Sequence, residues 1–419
     1  MSNDIFEING GRPLYGEIRN QTSKNATLPI MSASILAEGE TVLFDIPDIT
    51  DVHNMIKILE RQGSIITIND NILTINTSNM EYTDINKELA YTMRSSLFLL
   101  GSTLARFKSM KLYMPGGCDI GHRPIDIHLS AFKKLGVDII EDGDAVIFNS
   151  INAHSGKVRL RIPSVGATEN IIEFASTLKG KTTILNPAKE PEIIDLANFL
   201  NKMGAKILGA GTDKITIYGV DKLRPTTYVP TGDRIVSGTI MSAVACCGGD
   251  VEITNACPYE NKKIIEILCS LGCQIDVKND IIHISRDKPL VSNQQISTDY
   301  YPGFPTDMQS MLVVIATVAL GEMTIKENIF ENRFLIVDEL AKMGADICKV
   351  SNRVVRVNGV DELNGADLFA KDLRGGASLV LAGLMSNGTT RVHNVHFIDR
   401  GYDGLDKMLK KLGADIKRL

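Results

Sequence analysis

Long apolar runs recur along this chain at regular intervals, each followed by a short stretch in which apolar and polar positions alternate. Six runs stand out: "LPIMSASILAEG", "SSLFLLGSTLARF", "NIIEFASTLKG", "SGTIMSAVACCGG", "MQSMLVVIATVALG" and "ASLVLAGLMSNG". Apolar residues cover them nearly all round, which predicts helices buried on every side rather than amphipathic surface helices. The segments behind them, "TVLFDI", "MKLYM", "TTILN", "DVEIT", "MTIKE" and "TTRVHN", read as strands. A glycine near the end of each helix is expected to supply its left-handed cap.

A second element recurs downstream of each pair. The segments "LERQGSII", "FKKLGVDII", "LNKMGAKIL", "LCSLGCQID", "LAKMGADIC" and "LKKLGADIK" each read as a helix end, a glycine, a small or apolar residue and a strand. Their glycines, Gly63, Gly136, Gly204, Gly272, Gly344 and Gly413, are separated by 73, 68, 68, 72 and 69 residues. One repeat is therefore helix, strand, helix, then one or two strands, written six times. This period exceeds that of the common solenoids, so two closed globes are expected instead of a stack. The fold class that follows is α/β, with three repeats per domain and buried helices surrounded by sheets. Pro225 and Pro230 in "KLRPTTYVPTGDR" mark a crossover near the midpoint. The first domain is then 22–230, and the second is 1–21 plus 231–419. The short strand in "DIFEINGG" could pair with either.

Composition narrows the function. With 419 residues and 44% hydrophobic content there is material for two cores. A net charge of −5 opposes a broadly cationic nucleic-acid binder, although a cleft can still carry a local excess of cations. The opening stretch "MSNDIFEINGGRPL" has neither a basic nor an apolar segment, and no run is long and charge-free enough to span a bilayer, so a cytoplasmic protein with no membrane partner is expected. The seven cysteines include no C-x-x-C pair, and neither disulfides nor a metal site is expected. Cys246, Cys247, Cys257, Cys269, Cys273 and Cys348 read as small buried hydrophobes. Cys118, in the glycine-rich loop "LYMPGGCDIGHRPID", is the exception. Neither a P-loop nor a dinucleotide fingerprint is visible, so no cofactor is expected.

Charged residues cluster where the apolar helices begin: Lys24, Arg94, Asp233 with Arg234, Asp307, and Asp372 with Arg374. Taken singly, each reads as a helix cap or a solvated surface charge. Their recurrence at equivalent helix starts points to an anion-binding cleft. A helix terminus contributes only about 0.3 to 1 kcal/mol, so a multiply charged phosphate also needs cations. Lys24, Arg94, Arg123, Arg374 and Arg400 are the candidates, since arginine's fork matches phosphate and carboxylate.

The segments "SKNATLP", "PGGCDIGHRPIDIHL", "PSVGATENI", "PGFPTDMQ", "ENIFENRF", "DLRGGASLVLAG" and "IDRGYDGLDKML" occur in one order along nearly the whole chain. In this the sequence resembles the enolpyruvyl transferases, and among them those whose acceptor is a uridine-diphosphate sugar. The resemblance implies a two-domain inside-out α/β barrel. It implies transfer of enolpyruvate from phosphoenolpyruvate to the 3′-hydroxyl of UDP-N-acetylglucosamine, the first committed step of peptidoglycan synthesis, without cofactor or metal; the alternatives are another acceptor, shikimate 3-phosphate or a different uridine nucleotide, or a silent paralogue that binds the sugar nucleotide, and a monomer is expected. By the same resemblance Cys118, Asp307 and Lys24 are catalytic, with Asp307 receiving the hydroxyl proton and Cys118 either donating a proton or aiding product departure. Lys24, Arg123 and Arg400 would hold phosphoenolpyruvate, with Arg94 and Arg374 completing the positive cluster. Asn25 would orient the sugar nucleotide, Ile329 would touch it, and Arg123, Pro124, Ile125, Asp126, Ile127, Ser164, Val165 and Gly166 would line the uridine diphosphate. Glu331 and Arg333 would support the site, and His128 would be packed or hydrogen-bonded. The epoxide fosfomycin would alkylate Cys118. Thr22 and Ser23 stand where the family usually has Gly-Ala or Gly-Ser, and a positive φ there would strain Thr22.

Overall fold

The computed structural model describes residues 4–84, 97–113 and 125–419. These fall into two compact lobes: the described residues between 22 and 231 form the first, and residues 4–21 with Gly232–Leu419 form the second.

Each lobe is built around three inner helices. In the first lobe these are Lys24–Ser34, Leu99–Phe107 and Val165–Ala175. In the second they are Arg234–Cys247, Gln309–Ala316 and Leu373–Met385. Every residue of Gln309–Ala316 is buried, as an all-round apolar helix requires. Among the described residues, six further helices lead into the hairpins: Thr50–Arg61, Asp126–Lys134, Pro191–Lys202, Lys262–Leu271, Val337–Lys342 and Leu405–Lys411. Each lobe is thus an inside-out α/β barrel with its own contiguous core.

The sheets follow one plan. In five of the six repeats the strand after an inner helix pairs in parallel with one strand and antiparallel with another, while Ser109–Tyr113 in the second repeat has only an antiparallel partner among the described residues. In the third, fifth and sixth repeats the parallel partner is the strand preceding the same inner helix, as in Lys157–Arg159 beside Lys181–Leu185. The two chain crossings exchange this partner. Leu14–Arg19 precedes the first inner helix but runs parallel to Gly249–Thr254, after the fourth; Thr227–Tyr228 precedes the fourth but pairs with Glu40–Leu43, after the first. The amino-terminal strand Phe6–Asn9 completes the sixth hairpin, with Ile8 opposite both Thr390 and Ile416.

The repeated glycines have a common backbone role. Gly63, Gly136, Gly204, Gly272, Gly344 and Gly413 all adopt positive φ. In all six turns the next residue donates its N–H five residues back into the helix: Ser64 to Leu59, Val137 to Phe132, Ala205 to Leu200, Cys273 to Leu268, Ala345 to Leu340 and Ala414 to Leu409. This is the Schellman closure, which needs a left-handed residue after the last helical turn.

Two expectations are corrected. The glycines behind the inner helices act mainly as entries to strands, not as helix caps. Gly39, Gly180, Gly248, Gly321 and Gly388 each stand immediately before a strand with positive φ, and only Gly248 is also the helix cap. In the second repeat Lys108 takes this place at φ 67, with Nζ donating to Ala105 O at 2.7 Å. Among the cysteines, Cys246 and Cys273 are buried, but Cys269 and Cys348 are exposed and Cys247 and Cys257 lie between. Cys269 follows buried Leu268 and so faces away from the core on an amphipathic helix, while Cys348 sits on the edge strand Asp346–Ser351.

Candidate functional site

Charged residues gather at the inner-helix starts of each lobe. In the second lobe, Asp307 lies in the turn Thr306–Met308 that leads into Gln309–Ala316. Arg374 is the second residue of Leu373–Met385, and Arg333 follows the strand Glu322–Lys326. Packing brings the three together. Arg333 Nη2 reaches Asp307 Oδ1 at 2.6 Å, and Arg374 Nε and Nη2 both reach Oδ2 at 3.2 Å. The two arginine side chains are 3% exposed and the aspartate 29%, so two sheltered cations hold one accessible carboxylate and leave the cluster net positive.

Burial opposes the Arg374 charge, but Tyr402, Asp307 and Asp233 outweigh it and hold the guanidinium above its ordinary value. Arg374 lies 5.5 Å over the Tyr402 ring, and the Tyr402 hydroxyl meets Thr239 Oγ1 at 2.8 Å. Arg400 is half-buried in the turn behind Val395–Phe397. Gln21 braces that turn, donating Nε2 to Gly401 O at 3.1 Å and accepting from Asp403 N at 2.9 Å. Asp233 and Asp372 are helix caps: Asp233 accepts from Ile235 and Val236 N–H, Asp372 from Arg374 and Gly375 N–H.

In the first lobe, Lys24 opens the inner helix Lys24–Ser34, whose N-cap Ser23 accepts from Ala26 N–H. Lys24 Nζ stands 3.4 Å from Asp51 Oδ2, with both side chains largely sheltered. Asn25 follows, half-buried. Thr22 is buried but is not among the residues of positive φ, so the departure from the family's glycine carries no strain there. Ser164 caps Val165–Ala175 by accepting from Ala167 N–H. Beside this turn Gly166 lets buried His128 approach: a Cβ there would lie 3.3 Å from Nε2. Ile125 and Ile127 are buried, while Asp126 faces solvent and pairs with Arg161 at 3.0 Å.

Ile329 sits on the loop that also carries Arg333, with its N–H donated to Glu327. Glu331 turns instead to Arg353 at 2.5 Å. Arg94, Cys118, Arg123 and Pro124 lie outside the described residues. Among the described residues no group of His, Cys, Asp and Glu could hold a metal ion, and no helix is long and apolar enough to cross a membrane.

Sequence reasoning passed over Asp51, Glu327, Thr239 and Tyr402. Asp51 reads as an ordinary acid in a helix's first turn. Glu327 and Tyr402 lie inside the motifs "ENIFENRF" and "IDRGYDGLDKML", where their burial was the only further signal.

Comparison with known proteins agrees over almost the whole chain. The family described as EPSP synthase (3-phosphoshikimate 1-carboxyvinyltransferase) matches residues 8–416. A protein of Caldanaerobacter subterraneus named UDP-N-acetylglucosamine 1-carboxyvinyltransferase 2 is 46% identical, covering 99% of each chain. A UDP-N-acetylglucosamine 1-carboxyvinyltransferase of Halothermothrix orenii is 42% identical with the same coverage. Among solved structures, the enolpyruvyl transferase NikO from Streptomyces tendae superposes with a TM-score of 0.89 at 25% identity over 99% of each chain. EPSP synthase from Acinetobacter baumannii shares the fold, with a TM-score of 0.79 at 18% identity and full coverage of both chains.

Proposed function

This chain belongs to the enolpyruvyl transferase family, and from that premise we propose that it transfers the enolpyruvyl group of phosphoenolpyruvate to the 3′-hydroxyl of UDP-N-acetylglucosamine, releasing inorganic phosphate. The observation that carries this reading is the near-complete similarity to relatives named for that acceptor. A carboxylate held between two buried arginines supports it.

The reaction adds and then eliminates. The sugar hydroxyl oxygen bonds to C2 of phosphoenolpyruvate and its proton passes to Asp307, while a proton arriving at C3 turns the methylene into a methyl. The tetrahedral adduct then loses a C3 proton, the C2–O bond to phosphate breaks, and the double bond returns on the sugar-bound group. This needs an acid and a base at separate positions in a site from which water is excluded. Asp307 is suited to the base role because Arg333 and Arg374 fix both of its oxygens. Its charge also stabilises positive charge developing at C2.

Lys24, Arg123 and Arg400 bind phosphoenolpyruvate in this reading, with Arg94 and Arg374 adding positive charge. One cation at 4 Å is worth on the order of 4 kcal/mol at an intermediate effective dielectric, so several are needed to gather a triply charged ligand. Asn25 and Ile329 orient the sugar nucleotide, and 123–127 with Ser164, Val165 and Gly166 line its diphosphate and uridine. Ser164 and Gly166 open an inner helix, where free N–H groups favour phosphate oxygens. Cys118 delivers the C3 proton or assists product departure. Positive charge brought close to a thiol favours its thiolate and opens it to alkylation, which is the reading given to Cys118. The product enters peptidoglycan synthesis, the enzyme works in the cytoplasm, and a monomer suffices.

Phosphate release should follow when phosphoenolpyruvate is supplied with UDP-N-acetylglucosamine but not with shikimate 3-phosphate; the opposite preference overturns the acceptor. Incubation with fosfomycin and the sugar nucleotide should add one inhibitor mass, mapped to Cys118 and lost in Cys118→Ser. An adduct elsewhere, or none, removes Cys118 from the site.

A further inference from the structure

Glu327 is completely buried, yet both its carboxylate oxygens are engaged, and they reach two different segments. Oε2 accepts from Thr306 Oγ1 at 2.9 Å, one residue before Asp307. Oε1 accepts from the backbone N–H of Ile329 at 2.7 Å and of Phe330 at 3.0 Å, on the loop that continues to Arg333. The residue's own backbone is anchored as well: its N–H donates to Arg353 O at 2.8 Å, and Arg353 Nη1 donates to its carbonyl at 3.3 Å. Next to it, Asn328 donates N–H to Thr298 Oγ1 and Nδ2 to Thr298 O.

A buried carboxylate is costly to desolvate, and apolar packing joins two loops at less expense. What apolar packing lacks is direction. Three donors converging on one carboxylate fix the two segments in angle and register as well as proximity. We propose that Glu327 is a positioning residue for the acceptor half of the site. It sets the separation between Asp307, which takes the hydroxyl proton, and Ile329, which meets the sugar nucleotide; Arg333, farther along the same loop, then closes the frame by gripping Asp307. This rests on the reading of Asp307 and Ile329 given above.

The frame predicts a kinetic asymmetry, because the hydrogen bonds of Glu327 tie the segments assigned to the acceptor. Steady-state constants would be measured on the full chain with each substrate varied separately, alongside melting temperatures. In Glu327→Ala, KM for UDP-N-acetylglucosamine should rise about ten-fold or more and kcat should fall, while KM for phosphoenolpyruvate stays within about two-fold. Glu327→Gln keeps a carbonyl acceptor for the two N–H groups and should restore most of the acceptor KM. Thr306→Val removes one donor with little change of volume, so it should fold even where the alanine variant does not; it should lower kcat by about ten-fold with acceptor KM near wild type, since only the Asp307 side is released.

Melting temperatures that fall while all kinetic constants stay within about two-fold of wild type would show a structural role only and overturn the proposal. Equal increases in both KM values would overturn it too. If Glu327→Ala yields no folded protein, unchanged kcat in Thr306→Val overturns it. A wild-type protein inactive with these substrates sinks the activity reading, and this proposal with it; active wild type with unaffected variants sinks this proposal alone.

Discussion

Asp307 illustrates how little of a site's chemistry belongs to one side chain. Alone it is a carboxylate in a short turn; with Arg333 and Arg374 on its two oxygens it is an oriented acceptor in a positive setting. Asp307→Asn keeps the shape, removes the proton acceptor and leaves two sheltered guanidinium groups without their counter-charge. At saturating concentrations of both substrates its kcat should fall by about two to four orders of magnitude, the usual range for a lost general base. Its melting temperature should fall as well, because breaking a sheltered ion pair strands the remaining charges. A kcat within about ten-fold of wild type would move the base elsewhere.

At the scale of elements, glycine serves two separate ends: it closes the same turn after six helices, and it lets two inner helices approach. Gly204 adopts φ 105 with open space where a Cβ would point. Gly204→Ala therefore carries conformational strain alone and should cost about 1 to 2 kcal/mol in urea unfolding. Gly101 has ordinary φ, but its Cβ would lie 2.2 Å from Asn170 O, where two inner helices cross. Both sides of that contact are helix backbone and neither can yield cheaply. Gly101→Ala should cost about 3 kcal/mol or more, and a smaller loss than in Gly204→Ala would contradict the observed helix approach.

At the scale of the molecule, the stability of the first lobe should depend on pH through two buried acids on one inner helix. Burial, and then the charges of Glu192 and Glu190, push Glu169 well above the carboxylate range. Burial and Glu169 do the same to Glu173, against the opposing hydrogen bonds from Ser32 and Ser102. With folded values above unfolded ones, the folded lobe retains protons that the unfolded chain releases. This stability is fully present below the ordinary carboxylate range near pH 4 and is lost as pH rises through the raised folded values, at up to about 1.4 kcal/mol per pH unit for each linked proton. Glu169→Gln removes one such linkage. Its urea midpoint should fall less than that of wild type between pH 5 and 8, and parallel profiles would show Glu169 to be ionised in the fold.

The sequence alone determined the repeat and the class of fold. An all-round apolar helix has no stable place except an interior, and a glycine after six helix ends has a backbone reason that needs no partner. Local pattern was enough for both, since helix periodicity and turn geometry act over fewer than ten residues. It was not enough for the glycines behind the inner helices, whose positions serve the strand that follows, nor for Cys269 and Cys348, where composition could not tell an outward face from an inward one. The residues at the helix starts were legible as a list. That Asp307 meets Arg374, 67 positions away, and that Glu327 joins Thr306 to Ile329, was decided by tertiary packing. So was the exchange of Leu14–Arg19 and Thr227–Tyr228 between sheets, which sets Leu14 beside Gly249 and Val42 beside Thr227, far apart in the chain. Hydrophobic burial says which residues go inside; only the geometry of directional bonds in the assembled fold says which of them meet.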